Sequence, residues 1–226
     1  MSYKINIMLW IIIMIFSLFL YTILEFFLHK KNFLSKNSLL WSSQWAFLWG
    51  SILFIVLIFI IPGEYKPWRN ILYIKEAIKH IFSWISGILI FYFLTDQNLN
   101  GTAAAHSWNS SEFYYFSFVV PIFEEILFRG IILMSLLNMF PILKYEEPFV
   151  MISSLLFSVF HINYEREFKF NRNSILRFIM IFIVGNAIGY LVLLTSSLWM
   201  SILMHILINL TGSIYFNVKK KRIRVQ

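Results

Sequence analysis

The sequence predicts an all-α fold: a polytopic membrane helix bundle of about seven transmembrane helices, roughly six to eight. Three observations carry this. Hydrophobic residues make up 59% of the chain and charged residues only 13%, about half the charged share of an ordinary soluble domain. The mean hydropathy is +0.73, and the apolar residues fall in long runs separated by short polar stretches. Cysteine is absent, which removes a disulfide framework, a thiolate metal site and a cysteine nucleophile from consideration.

The runs fall in order. Ile7–Leu28 is apolar apart from Glu25 and ends in His29-Lys30-Lys31, as an uncleaved span does and a signal peptide does not. Leu39–Ile61 is a second span, closed by Pro62-Gly63. Tyr65–Lys79 mixes Lys, Arg and Glu with Trp68, Leu72 and Ile78 and reads as an amphipathic segment at the interface. Ile81–Leu94 is a third, short span unless it begins at Ala77. Asp96–Glu112 is a polar loop. Phe113–Leu137 is a fourth span, in which Pro121 is expected to loosen or kink the helix. Phe149–His161 begins a fifth element that extends back to about Glu147. Asn163–Arg177 is a net-basic loop. Phe178–Leu194 is a sixth span whose Gly185 and Gly189 suit close helix packing. Thr195-Ser196-Ser197 is a tight turn, and Leu198–Phe216 is the seventh span. With no repeat and no linker, residues 1–226 are expected to form one integral membrane domain.

The net charge of +8 does not point to nucleic acid. The basic residues sit in loops and in the tail Lys219–Arg224, where positive-inside topology accounts for them. On that rule the chain is a multi-pass protein of the cell membrane with a cytoplasmic C-terminus, and the lipid bilayer is its first partner. The Tyr65–Lys79 segment, basic and placed outside by the same count, is the one feature that runs against this orientation.

The stretch Phe123–Gly130 breaks the apolar pattern with Glu124, Glu125 and Arg129. Each ionisable side chain at the centre of a span costs roughly 2.5–3.5 kcal/mol on insertion scales. Such a helix must therefore turn these groups toward protein or trapped water, and they mark a functional site. Glu125 and Arg129 are four apart and share a face, so they can pair as a strut. Glu124 is rotated about 100° from Glu125 and is free to act elsewhere. A purely structural network of all three charges is the plain alternative. Three more polar residues stand in apolar helices: His161, and His205 with Asn209 four residues later on the same face. Singly, each is more often a packing or hydrogen-bonding residue. Together with Glu124 they offer a carboxylate, two imidazoles and a carboxamide from three helices, a set suited to a water-activating hydrolase or a metal site.

Glu124-Glu125-Ile126-Leu127-Phe128-Arg129, Phe157…His161 and His205…Asn209 resemble, in order, the three motifs of the family joining type II CAAX prenyl endopeptidases with bacteriocin-processing and self-immunity proteins, the CPBP or Abi family. The resemblance covers roughly residues 113–212, as a catalytic core. Residues 1–112, the N-terminal spans and interfacial segment, match only as generic membrane sequence. The resemblance implies an intramembrane endopeptidase that acts on a peptide precursor or a membrane protein. Glu124, with His161, would activate the attacking water. His205 and Asn209 would donate to the tetrahedral oxyanion. Glu125, Arg129 and Phe157 would support the site. The cofactor is either none or zinc. In the zinc version Glu124, His161 and His205 are ligands with a water as the fourth, although a His-Glu-x-x-His motif is absent. The competing function is a non-catalytic bacteriocin self-immunity or membrane scaffolding protein, against which the full set of candidate catalytic side chains argues. A proton-coupled transporter is weaker still, because no internal symmetry is visible.

Overall fold

The structure is a computed structural model and describes residues 73–95, 111–140, 145–163 and 172–225. The spans expected at Ile7–Leu28 and Leu39–Ile61 lie outside these residues. Every regular element among the described residues is helical. We number them α1 (Ile74–Thr95), α2 (residues 111–139), α3 (Glu147–Asn163), α4 (Arg172–Thr195) and α5 (Leu198–Val225).

Helix α2 is the unusual one. Its winding alternates along one rod: α over Ser111–Tyr114, π over Tyr115–Val119, α over Val120–Glu125, π over Ile126–Leu133 and α over Met134–Met139. Pro121 opens the middle α segment, directly after the first π turn. The loosening expected of that proline therefore takes the form of a widened turn. Phe140, which precedes Pro141, leaves the helical region at φ −128° and ends the rod.

Among the described residues, three helices are long and apolar enough to cross a membrane: Ile74–Thr95, Ser174–Thr195 and Leu198–Lys219. The chain is an integral membrane protein. Helix α3 is apolar but shorter. Helix α2 is enclosed: all eight residues of Ile126–Leu133 are buried, on every side of the helix. A helix buried all round sits at the centre of a bundle, and this is how the chain keeps its ionisable groups out of lipid.

Two apolar clusters build the bundle, one of them around α2. Ile126–Leu133 packs with Phe149, Val150, Phe157 and Phe160 of α3, Ile181 of α4, and Leu198 and Ile202 of α5. On the other side of α4 and α5, Ala77, Ile81, Ile88 and Tyr92 of α1 meet Val184, Ile188 and Leu191 of α4 and Met200, Met204 and Ile208 of α5. Helices α4 and α5 thus form a wall between α1 and the α2–α3 pair.

The α4–α5 turn is held by Thr195. Its hydroxyl donates to Leu191 O at 2.7 Å and accepts from the Ser197 N–H at 3.3 Å, which fixes Ser196 at φ 51°. Some boundaries differ from the sequence reading. Helix α1 begins at Ile74, so Lys75, Glu76 and Lys79 are exposed side chains of the span's first turns rather than part of a separate interfacial strip. Their long stems let charged heads leave an apolar helix end. Helix α4 begins at Arg172, inside the stretch expected as loop, and α5 runs on to Val225 through the basic tail.

The α3–α4 contact depends on two glycines. A Cβ on Gly185 would lie 3.2 Å from Ser154 Cβ and 3.3 Å from Phe157 Cδ1, and one on Gly189 would lie 2.7 Å from Val150 Cγ1. Overpacking of this kind costs roughly 1–3 kcal/mol, which exceeds the gain of up to about 1 kcal/mol that alanine brings over glycine in a helix. Gly189→Ala is therefore expected to lower stability to unfolding in detergent. In a Val150→Ala background the same change should be neutral or stabilising.

Candidate active site

The site is built outward from Glu125. This carboxylate is fully buried, and its Oε1 accepts from Arg129 Nη1 at 3.1 Å, one turn along α2. Arg129 is also fully buried. Its Nη2 donates to the Gly185 carbonyl of α4 at 2.8 Å, and its guanidinium carbon lies 4.5 Å from the centre of the Phe157 ring on α3. Helices α2, α3 and α4 are thus fastened at one buried cation.

His205 of α5 lies between the two glutamates. Its Nδ1 is 2.8 Å from Glu125 Oε1, and its Nε2 is 3.6 Å from Glu124 Oε2. His161 approaches Glu124 from the other side, with Nε2 3.9 Å from Oε1. Glu124 therefore turns one oxygen toward each imidazole. The partners of the imidazoles assign their tautomers. His161 Nδ1 lies 2.9 Å from Phe157 O, a group that can only accept, so Nδ1 carries a proton there. Glu125, paired with Arg129, accepts from His205 Nδ1 in the same way. In the neutral form of each ring the lone pair on Nε2 then faces Glu124.

Phe157 is the packing hub. Its ring centre is 4.3 Å from that of His161 and 5.7 Å from that of His205, edge-on to the latter. The side chain of His161 is 20% exposed, against 9% for Glu124 and 6% for His205. The cluster therefore opens on the His161 side. Asn209 stands apart from this group: its Nδ2 donates to the Phe116 carbonyl of α2 at 3.1 Å.

The structure thus brings Glu124, His161 and His205 together, ties Glu125 to Arg129 and His205, and packs Phe157 against Arg129, His161 and His205. Sequence reasoning missed the backbone acceptors at Gly185 and Phe116. It also missed Ser153, whose hydroxyl donates to Phe128 O within the second π turn at 2.7 Å. A serine pair, Ser153-Ser154, in an apolar helix was the available signal.

Each imidazole anchors its Nδ1 as a ligating histidine does, and two Nε2 lone pairs with a carboxylate are donors that zinc accepts. Among the described residues, however, no three His, Asp or Glu side chains are drawn close enough together to hold a metal ion. Glu124 spreads its oxygens between the rings and does not close a ligand set.

Residues 106–211 match the model of the type II CAAX prenyl endopeptidase Rce1-like family, and the match contains every site residue named above. Over this segment the chain is similar to the Rce1-like family. No curated protein and no solved structure is significantly similar to the chain. The Rce1-like family is one of CAAX-type intramembrane peptidases, and its span in this chain runs from just before α2 into the middle of α5.

Proposed function

We propose that the chain is an intramembrane endopeptidase of the glutamate type, which hydrolyses a peptide bond of a membrane protein or membrane-bound peptide precursor. The observation that carries this reading is the convergence of Glu124, His161 and His205 from three helices on one point that opens on the His161 side.

The attacking water is held by Glu124 and by His161 Nε2. Gaps of 3.6 Å and 3.9 Å are too long for direct hydrogen bonds and are spanned by a bridging water. Glu124 takes one proton as the water oxygen bonds to the scissile carbonyl carbon, whose π electrons move to oxygen. The Asn209 amide N–H stabilises that oxyanion, and His205, whose Nδ1–H is held by Glu125, joins it as a donor only when both of its ring nitrogens carry protons. The C–N bond then breaks, the carbonyl re-forms, and Glu124 delivers its proton to the leaving nitrogen. Glu125 and Arg129 hold His205 in place throughout. Because the amides of a spanning helix are already hydrogen-bonded, the substrate segment enters unwound. The cytoplasmic face, marked by the basic end of α5, is the side from which it enters.

The test is cleavage of a fluorogenic peptide library by purified chain reconstituted in liposomes, beside Glu124→Gln and a chelator control. Cleavage is expected with wild type, absent with Glu124→Gln and indifferent to chelation. Cleavage lost on chelation and restored by zinc would replace the glutamate reading with a metallopeptidase. Equal inertness of wild type and Glu124→Gln on every peptide would favour a non-catalytic immunity or scaffolding protein.

A further inference from the structure

The first π turn of α2 ends just ahead of the glutamates, and its carbonyls must be satisfied. In a π turn the N–H of a residue reaches the carbonyl five positions back. For Phe116 O that residue is 121, and Pro121 has no N–H. A carbonyl at membrane depth has no water to turn to. Asn209 supplies a donor from α5 in place of that N–H, its Nδ2 lying 3.1 Å from Phe116 O. Ser153 of α3 also donates to a carbonyl of the second π turn, Phe128 O, although the residue five positions on, Leu133, has its own N–H. Both widened turns of this helix are therefore held by a side chain of a neighbouring helix.

The first turn sets the phase of the glutamate segment. A π turn contains one more residue than an α turn would. If it closes to α, every later residue of the segment advances by one position, a rotation of about 100°. Phe123 then takes the place of Glu124, and Glu124 that of Glu125. An adjacent pair of glutamates cannot by itself decide which of the two faces His161.

We propose that Asn209 is a positioning residue: it replaces the backbone donor that Pro121 lacks, holds the π turn at Tyr115–Val119 open, and so fixes Glu124 rather than Phe123 or Glu125 opposite His161 and His205. Asn209 is four residues beyond His205 on α5, so one face of that helix grips α2 at Phe116 and again at Glu124 and Glu125. The inference rests on the proposed peptidase only for the role of Glu124, and its test reads helix phase without any catalysis.

The chain has no cysteine, so introduced pairs are unambiguous. Two reporters carry His161→Cys with either Glu124→Cys or Phe123→Cys and are joined by a short bifunctional methanethiosulfonate in liposomes. A control carries Val150→Cys with Gly189→Cys. The Cβ separation there is 3.7 Å, right for a direct disulfide, and the pair lies between α3 and α4. With Asn209 in place, the 124–161 product should dominate. Adding Asn209→Leu, which keeps bulk but donates nothing, should lower the ratio of 124–161 to 123–161 product about tenfold or more, as a rotation near 100° requires, with the control disulfide unchanged. A ratio that stays within about twofold while the control forms would overturn the proposal and leave Asn209 a donor to the oxyanion alone. Parallel loss of both reporters and the control would overturn it as well, in favour of general packing.

Discussion

Arg129→Leu is expected to destabilise the chain by about 3–5 kcal/mol, the cost of leaving one partner of a buried ion pair uncompensated. Arg129 is fully enclosed, and its two terminal nitrogens hold Glu125 and the Gly185 carbonyl. Without it, Glu125 keeps the His205 imidazole beside it but loses its cation, at a fully buried position. The double variant Glu125→Leu/Arg129→Leu should recover at least half of the loss, because apolar pairs of similar volume replace buried ion pairs with little penalty. Denaturant unfolding in mild detergent, followed by tryptophan fluorescence, gives both values and their coupling. Equal losses in the single and double variants would mean that packing against Phe157, rather than charge, is what Arg129 contributes.

Glu124→Gln should lower kcat by about 10²–10⁴, the range of a positioned general base, with KM nearly unchanged. The substitution keeps the shape of the side chain between His161 and His205 and removes its ability to take a proton. His161→Ala should fall in the same range. Groups that act on one water are a unit, and their losses do not multiply. The double variant is therefore expected within a few-fold of the weaker single. Multiplied losses would separate the two residues into different steps. Both measurements use single peptides drawn from the library, with initial rates across substrate concentration.

Much of the fold and of the site was legible in the chain. Apolar runs and their polar breaks predict the order of the described helices, because membrane helices must satisfy every backbone group internally, but α1 and α4 begin well before the predicted Ile81 and Phe178 and α5 runs well past Phe216. The ionisable residues stood out because insertion penalises them. The spacing of Glu125 to Arg129 and of His205 to Asn209 indicated which faces they share. Backbone register was hidden. Pro121 announced a distortion, but nothing in the side chains says that the distortion is a π turn or that a second one covers Ile126–Leu133. Carbonyl acceptors are equally silent, since the Gly185 oxygen that receives Arg129 is present at every residue type. The start of α1 was missed because Lys75, Glu76 and Lys79 read as interface, although charged side chains at a helix end can reach out of lipid.

The enclosure of α2 also bears on how the protein is made. Ribosomes deliver α2 before α3, α4 and α5, yet beyond the Glu125–Arg129 pair itself the partners of its charges lie on those later helices. His205 is 80 residues downstream of Glu125, and the Gly185 carbonyl is 56 downstream of Arg129. Until those segments arrive, α2 carries three ionisable groups with nothing in lipid to meet them but one another. Biogenesis therefore has to keep α2 in the insertion machinery, or at the membrane surface, until α5 is synthesised. The candidate site is completed in the same event that makes the helix bundle stable.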